Sequence, residues 1–168
     1  MGSAGSGSSS HVAGEYFQSL TRIKLTHVPY KSGGQLVIGV VSGEAQLSFS
    51  PVSTALPHTR TGKLRMLGVS SPRRLASLPD VPAIAETVPG YEFGGWQGIL
   101  LPAGAPQDIV RRLHAAILKA INTQEFKNYL ANEGSVLVGS NPEEFATFLR
   151  AEVTKLAPII RASGARAE

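Results

Sequence analysis

The chain has 168 residues, of which 42% are hydrophobic and 17% charged, with 18 Gly, 11 Pro and no Cys. This apolar content excludes intrinsic disorder, and the lack of cysteine excludes a disulfide scaffold, thiolate catalysis and cysteine-based zinc or iron–sulfur sites. The net charge of +4 arises from basic residues scattered along the sequence, so the pattern does not indicate nucleic-acid binding. No apolar run approaches the roughly 20 residues that span a bilayer, and the chain does not open on a signal sequence.

The first half of the sequence alternates helical and strand patterns. Ser8 is a good N-cap, and apolar residues at helical spacing from Val12 to Leu20 predict a helix after it. The predicted elements that follow are a strand at 23–30, a helix at 35–41, a strand at 45–49, a helix at 50–56, a strand at 63–70 and a short helix at 83–87. This alternation predicts an α/β fold with a mostly parallel sheet and flanking helices.

The second half is different in kind. A long strand weakened by three glycines is predicted at 91–101, where Trp96 either lines a cleft or, more simply, packs against a neighbouring element. Three helices follow at 107–121, 124–133 and 142–162, with a short strand at 136–138 between the last two. This helical tail has almost no sheet of its own. Its apolar stripes therefore need another surface to cover: Ile109, Leu113, Ile117 and Ile121 in the first helix, and Phe145, Phe148, Leu149 and Leu156 in the last.

The sequence shows no catalytic or metal-binding constellation. The 4 histidines lie far apart without metal-ligand spacing, and the 12 acidic residues form no pair that suggests general acid–base catalysis. No nucleophile elbow, Walker loop or dinucleotide fingerprint is present. We therefore expect no catalytic residue, no metal and no cofactor.

The Ser- and Gly-rich opening has a distinct physical use. A glycine-rich turn that leads into Ser8 at a helix start exposes backbone N–H groups and hydroxyls at the positive end of the helix dipole. Such a turn can hold a carboxylate or a phosphate. A flexible linker, or an N-cap without a ligand, explains the same residues.

Several long motifs in fixed order resemble the Bug-type solute-binding proteins of tripartite tricarboxylate transporters. They are HVAGEYFQSL, THVPYKSGGQ, and the run from LPHTRTGKLRMLGVSS through LPDVPAIAE to YEFGGWQGILLPAGAP. The final PEEFATFLRAE helix matches as well. The resemblance covers nearly the whole chain.

The resemblance implies a periplasmic protein of the type II binding-protein fold, in which two α/β lobes clamp a small organic carboxylate without catalysis. It implies transporter membrane subunits as partners of the full-length protein, with no nucleic acid and no insertion into the membrane. Residues 1–92 correspond to most of the second lobe, 93–106 to the crossing between lobes, and 107–168 to the helical return to the first lobe. The first-lobe sheet and the signal peptide have no counterpart, so the expected fold is incomplete.

Within this frame, the opening loop and two later loops form the expected ligand site. The opening loop would donate to a carboxylate, the residue after the strand at 45–49 would add a hydroxyl, and the loop after the strand at 23–30 would shape the rim. These residues are Ser6, Gly7, Ser8 and Ser9, then Ser50, then Tyr30 and Lys31. Ser32 replaces the first glycine of the family's triple-glycine loop. Ser50 stands where the family often has Asp or Asn, which favours a plain carboxylic acid over an amino acid.

Two alternatives from other classes stay open at the level of sequence. One is a small hydrolase that uses one of the serines; the sequence places no plausible base near Ser8, although His11 lies one helical turn away. The other is a truncated interaction module that self-associates, as a homodimer, through the C-terminal helices. A turnover assay against generic esters discriminates the first from a binding protein.

Overall fold

The computed structural model describes residues 1–165. Its strands are β1 (Gly2–Ser3) and β2 (Val28–Pro29). Its helices are α1 (Ser9–Thr21), α2 (Gly33–Val41), α3 (Val52–Arg60), α4 (Gln107–Ile121), α5 (Gln124–Glu133) and α6 (Pro142–Ser163), with a 3₁₀ turn at Ile84–Glu86.

The helices follow the sequence pattern closely. The two helices predicted at 107–121 and 124–133 have these bounds, and the last helix is one residue longer than predicted. Gly134 ends α5 in the left-handed conformation, as its αL-cap pattern predicts. The prediction for 50–56 was displaced, because α3 begins two residues later and continues through Pro57 to Arg60.

The sheet is parallel but much smaller than predicted. β1 pairs with β2 in parallel, Gly2 opposite Val28, and Gly2 also forms a parallel bridge with Ser48. The strand predicted at 23–30 is reduced to β2, and the one predicted at 45–49 to this bridge. The strand predicted at 63–70 is reduced to a bridge between Val69 and Ala83. The predictions of strands at 91–101 and 136–138 were wrong for the described chain. The Phe93 N–H donates to the Ser70 carbonyl (3.0 Å), but no described segment forms with either stretch the ladder of hydrogen bonds that a strand requires.

The sequence pattern did not predict the central strand β1, because its residues are typical of a loop. Glycine and serine have low strand propensity, so the signal is absent. Close packing explains the small residues instead: a Cβ on Gly2 would lie 2.5 Å from Leu36 Cδ1 and 3.3 Å from Ala45 Cβ. Both of these neighbours are fully buried. Packing against α2 therefore selects glycine at the centre of the sheet.

The chain divides into two compact units. The first comprises Met1–Gly95 together with the chain from Thr154 onward. Its core is built around Tyr91, which is fully buried and whose hydroxyl donates a hydrogen bond to the Ala13 carbonyl (3.2 Å). The Tyr91 ring lies 5.4 Å from that of Tyr16 and 5.8 Å from that of Phe17. This aromatic cluster fixes α1 to the segment after the 3₁₀ turn.

The second unit, Trp96–Val153, buries little of its surface. No described residue in it is fully buried. Trp96 packs edge-on against Phe145 and Phe148, with ring centroids 5.7 and 5.6 Å apart, as expected for a packing residue. Large apolar side chains of this unit remain exposed, among them Ile99, Leu100, Leu113, Val136, Val138 and Phe148. The lobe boundaries predicted at 92 and 107 concern a whole two-lobed protein and stay predictions.

Among the described helices, even the 22-residue α6 lacks the sustained apolar stretch that a membrane crossing requires.

Candidate functional site

The predicted site residues all follow the carboxyl ends of three neighbouring parallel segments. Ser6–Ser9 follow β1, Tyr30 and Lys31 follow β2, and Ser50 follows the bridge at Ser48. Because β1 lies between the other two segments and all three run parallel, their loops leave the sheet at one edge. In open α/β sheets, ligands bind beyond this edge.

The loop between β1 and α1, residues 4–8, is the centre of this edge, and we call it the anion loop. Gly5 and Gly7 have φ of 121° and 74°, values that L side chains rarely adopt, so both positions require glycine. Ser8 then caps α1 in an extended conformation, φ −64° and ψ 160°, and its side chain accepts from the His11 N–H. The predicted N-cap is confirmed.

Side chains beneath the anion loop hold its inward-facing amides. The Ala4 N–H donates to Ser10 Oγ at 2.8 Å, the Gly5 N–H to Ser3 Oγ at 3.2 Å, and the Gly7 N–H to His11 Nδ1 at 3.1 Å. The acceptors Ser3, Ser10 and His11 are all buried. The backbone of the loop is therefore fixed from inside, before any ligand arrives.

Three amides at the same place have no acceptor. Within residues 1–165, no partner accepts from the N–H groups of Ser6, Ser9 and Ser10. Those of Ser9 and Ser10 belong to the first turn of the 13-residue α1, where the helix dipole favours an anion. Ser6 and Ser9 are exposed, whereas Ser10 is buried. Ser6 and Ser9 thus present unpaired donors to the solvent.

Ser8, Ser50 and Lys31, also predicted for the site, differ in their exposure and in their hydrogen bonds. The Ser8 hydroxyl donates to the Gly5 carbonyl at 2.6 Å, so its hydrogen is engaged within the loop. Ser50 is partly exposed and hydrogen-bonds Ser48 Oγ at 3.0 Å. Lys31 is exposed at the same edge, and its N–H donates to Gln35 Oε1.

Tyr30 does not present its hydroxyl at this edge. Its ring packs so closely on Gly39 that a Cβ there would overlap the phenol, and its hydroxyl is buried without a hydrogen-bond partner among the described residues. Burial, with the Glu44 carboxylate nearby, raises the pKa of the Tyr30 phenol. Its backbone carbonyl instead lies beside Gly5, so Tyr30 supports the anion loop from below.

Sequence reasoning missed a histidine pair under the loop. His11 and His27 are stacked with centroids 3.8 Å apart and planes inclined by 10°, and His27 Nε2 hydrogen-bonds Ser3 Oγ at 2.5 Å. The pairing of β1 with β2 brings them together, and no spacing in the sequence reports it. Burial, followed by the neighbouring His11, lowers the pKa of His27.

The hydrolase alternative requires a base beside Ser8, and His11 does not supply one. Neither ring nitrogen of His11 contacts Ser8 Oγ: Nδ1 accepts from Gly7, and Nε2 faces Glu15 Oε1 at 3.6 Å. Ser3 does contact His27, but Ser3 is 0% exposed and closed to a substrate. A Ser–His pair open to solvent is therefore absent from this cluster.

Two other kinds of site are a metal centre and a surface groove of the first unit. Among residues 1–165, no group of three or more His, Asp and Glu side chains could hold a metal ion. A shallow groove lies at the opposite end of α1, with Gln18, Arg22 and Ile159 among its lining residues. It contains none of the predicted site residues, and the unpaired amides place the candidate site at the amino-terminal end instead.

The cap at Ser8 provides a test of the loop's internal bonding. Ser8→Ala removes the acceptor for the His11 N–H and the donor to the Gly5 carbonyl. We expect it to lower the free energy of unfolding by about 1 kcal/mol. Urea denaturation followed by circular dichroism measures this, with Ser19→Ala, at an exposed position later in α1, as the control. Equal effects of the two variants would contradict the capping role.

A parallel sheet with flanking helices and a glycine–serine loop at its carboxyl edge is the architecture of an incomplete α/β domain of the periplasmic-binding-protein type. The solved structure titled "R. palustris Rpa4515 with adipate" shares this fold, with a TM-score of 0.86 and 27% identity over 98% of this chain and 55% of that one. Residues 1–165 match the family described as "Tripartite tricarboxylate transporter family receptor", TctC. The chain belongs to this family.

Relatives agree with this assignment. A UPF0065 protein from the tcbD-tcbE intergenic region of Pseudomonas sp. (strain P51) is 33% identical over 160 residues, 94% of this chain and 48% of that protein. Protein BugT of Bordetella pertussis is 28% identical over 95% of this chain and 49% of its own length. The chain thus spans about half the length of these curated relatives, and the resemblance to Bug-type proteins is confirmed.

Proposed function

We propose that the anion loop binds a carboxylate group of a small organic acid, and that the chain serves as part of a periplasmic solute-binding protein rather than as an enzyme. The exposed, unpaired N–H groups of Ser6 and Ser9 at the carboxyl edge of the sheet carry this proposal. A carboxylate accepts from several N–H groups at once, and hydrogen bonds to a charged acceptor contribute about 1.5–3 kcal/mol each.

The comparisons support the ligand class. The similar protein from R. palustris was solved with adipate, a molecule with a carboxylate at each end. One carboxylate of such an acid fits the anion loop, while Ser50 offers a neutral hydroxyl and Lys31 a positive charge at the same edge. No carboxylate side chain stands at position 50 to pair with an amino group. We therefore assign a plain carboxylic acid rather than an amino acid.

The proposal extends to the partners of the whole protein. Residues 1–92 would belong to the second lobe and 107–168 to the return segment of the first. Transporter membrane subunits would receive the loaded protein. Since half of a clamp leaves its ligand in water, we expect the isolated chain to bind adipate with a millimolar rather than a micromolar dissociation constant. We also propose that the C-terminal helices of two copies associate.

A proline substitution tests the backbone donors directly. Ser9 occupies the first helical position, where proline is favoured, and Ser8 before it has the extended conformation that proline requires. Ser9→Pro therefore removes one N–H with little change to the fold. We expect it to raise the dissociation constant for adipate about tenfold, measured by NMR titration of the 168-residue chain. Ser9→Ala, which keeps the N–H, should have a smaller effect.

Gln124→Pro is the matched control, because Gln124 opens α5 after Thr123, whose φ of −66° and ψ of 149° also suit a following proline. We expect this variant to bind adipate as the parent does. If Ser9→Pro leaves the adipate affinity unchanged, the carboxylate does not bind at the anion loop. A micromolar dissociation constant for the isolated chain would contradict the idea that another lobe supplies part of the site.

A further inference from the structure

The buried face of the anion loop contains a titratable acceptor. A backbone N–H only donates, so the hydrogen bond from Gly7 requires His11 Nδ1 to be unprotonated. The ring hydrogen is then on Nε2, which faces the Glu15 carboxylate. His11 is 3% exposed, so water does not replace either contact.

We propose that His11 is the positioning residue of the anion loop, and that it holds Gly7 in the binding conformation only while its ring is neutral with the hydrogen on Nε2. This inference rests on the proposed function, because it states how the same site is regulated. A proton on Nδ1 would place two hydrogen-bond donors, the ring N–H and the Gly7 N–H, opposite each other without an acceptor. The Gly7 amide would have to turn away, and the neighbouring backbone that carries the unpaired Ser6 N–H would move with it.

Two groups face His11 directly: Glu15 on the same helix and the stacked partner His27 from the segment before β2. The amino group of Met1 adds a positive charge near His27. Burial, followed by the neighbouring His11, lowers the pKa of His27. Histidine side chains in general change charge between about pH 8 and pH 5. A proton on Nδ1 of His11 within this range would break the hydrogen bond from Gly7, so we expect acidification to weaken carboxylate binding.

Two amide variants separate hydrogen bonding from packing. The Oδ1 of an asparagine reaches the position of a histidine Nδ1, whereas a glutamine amide reaches that of Nε2. His11→Asn should accept from Gly7 at every pH, and His11→Gln should not. His114→Asn removes an imidazole from the second unit and serves as the control.

The experiment is an NMR titration of the 168-residue chain between pH 8 and pH 5, with and without adipate. The ¹⁵N shift of His11 Nδ1 should report an unprotonated nitrogen at pH 8, and the Gly7 amide should change with the same midpoint as the ring. Over this range the adipate dissociation constant of the parent should rise about fivefold relative to His11→Asn, the effect of one hydrogen bond of about 1 kcal/mol. Comparison with His11→Asn at each pH cancels the titration of adipate itself.

The outcomes are distinguishable from those of the proposed function. If Nδ1 carries the hydrogen at pH 8, or if the Gly7 amide ignores the titration of the ring, the inference is wrong whether or not adipate binds. If the Gly7 amide follows His11 but adipate binds elsewhere, the positioning of the loop stands and the proposed function fails. If His11→Asn and His11→Gln weaken adipate binding equally, His11 acts only by packing and the inference is overturned.

Discussion

Replacing Tyr91 with alanine is expected to lower the free energy of unfolding by about 3–5 kcal/mol, the usual effect of removing a fully buried aromatic ring. Tyr91 is 0% exposed and contacts the rings of Tyr16, Phe17 and Phe49. The cavity would open between α1 and the segment after the 3₁₀ turn, where other residues cannot collapse without moving the helix.

Two further variants make this expectation specific. Tyr91→Phe removes only the hydrogen bond to the Ala13 carbonyl and should cost about 1 kcal/mol. Tyr129→Ala, at a position that is 58% exposed, should change the stability by less than about 0.5 kcal/mol. Urea denaturation followed by circular dichroism gives all three values. A loss below 1 kcal/mol for Tyr91→Ala would show that the aromatic cluster is not the core of the first unit.

The 168-residue chain is expected to self-associate in solution through its second unit. Leu113 is 42% exposed, Val136 77% and Val138 80%, and no described residue of this unit is fully buried. Each large apolar side chain that becomes covered contributes about 1.5–3 kcal/mol, so several together favour association strongly. Light scattering at two concentrations should give about twice the chain mass of 17.7 kDa at the higher one.

A charge on the apolar stripe of α4 tests which face is involved. Leu113→Glu places a carboxylate within the stripe and should restore the mass of one chain. Ala115→Glu adds the same charge to the opposite, exposed face of α4 and should leave the association unchanged. A mass of one chain at every concentration for the parent would contradict self-association. Equal dissociation by both variants would assign the effect to net charge rather than to this face.

Local signals predicted the helices well and the sheet poorly. The cap at Ser8, the glycine at 134 and the apolar periodicity of α4 act within one or two turns, so the sequence contains all of the information. Strands depend on partners elsewhere in the chain. The predicted strand at 91–101 has β-type residues but only one backbone hydrogen bond to a distant described segment, from Phe93 to Ser70, whereas β1 has neighbours on both sides and almost no strand propensity.

In the candidate site, too, the features set by local sequence were predicted and those set by distant residues were not. The glycines at 5 and 7 and the serine at 8 predict a tight turn at the start of a helix, and the structure contains this turn. The buried partners of that turn come from other elements, so His27 and the ring of Tyr30 had no sequence signal for their positions. For Tyr30, alternation placed the residue at the correct edge but did not predict that Gly39 leaves space for its ring to turn inward.

The pairing of β1 with its neighbours limits which protein scaffolds could accept the anion loop as a graft. Gly2 is aligned with Val28 and with Ser48, so the strand that launches the loop is held by residues far along the chain. A synthetic peptide with only the loop and α1 would keep the Ser8 cap but lose this alignment, together with the contact between Ser3 and His27. Grafting the loop onto another scaffold therefore requires a host with a parallel strand on each side of the launching strand. The smallest unit that could be grafted is the edge formed by β1, β2 and the bridged segment at Ser48, because the glycine–serine motif alone lacks the contacts that fix it.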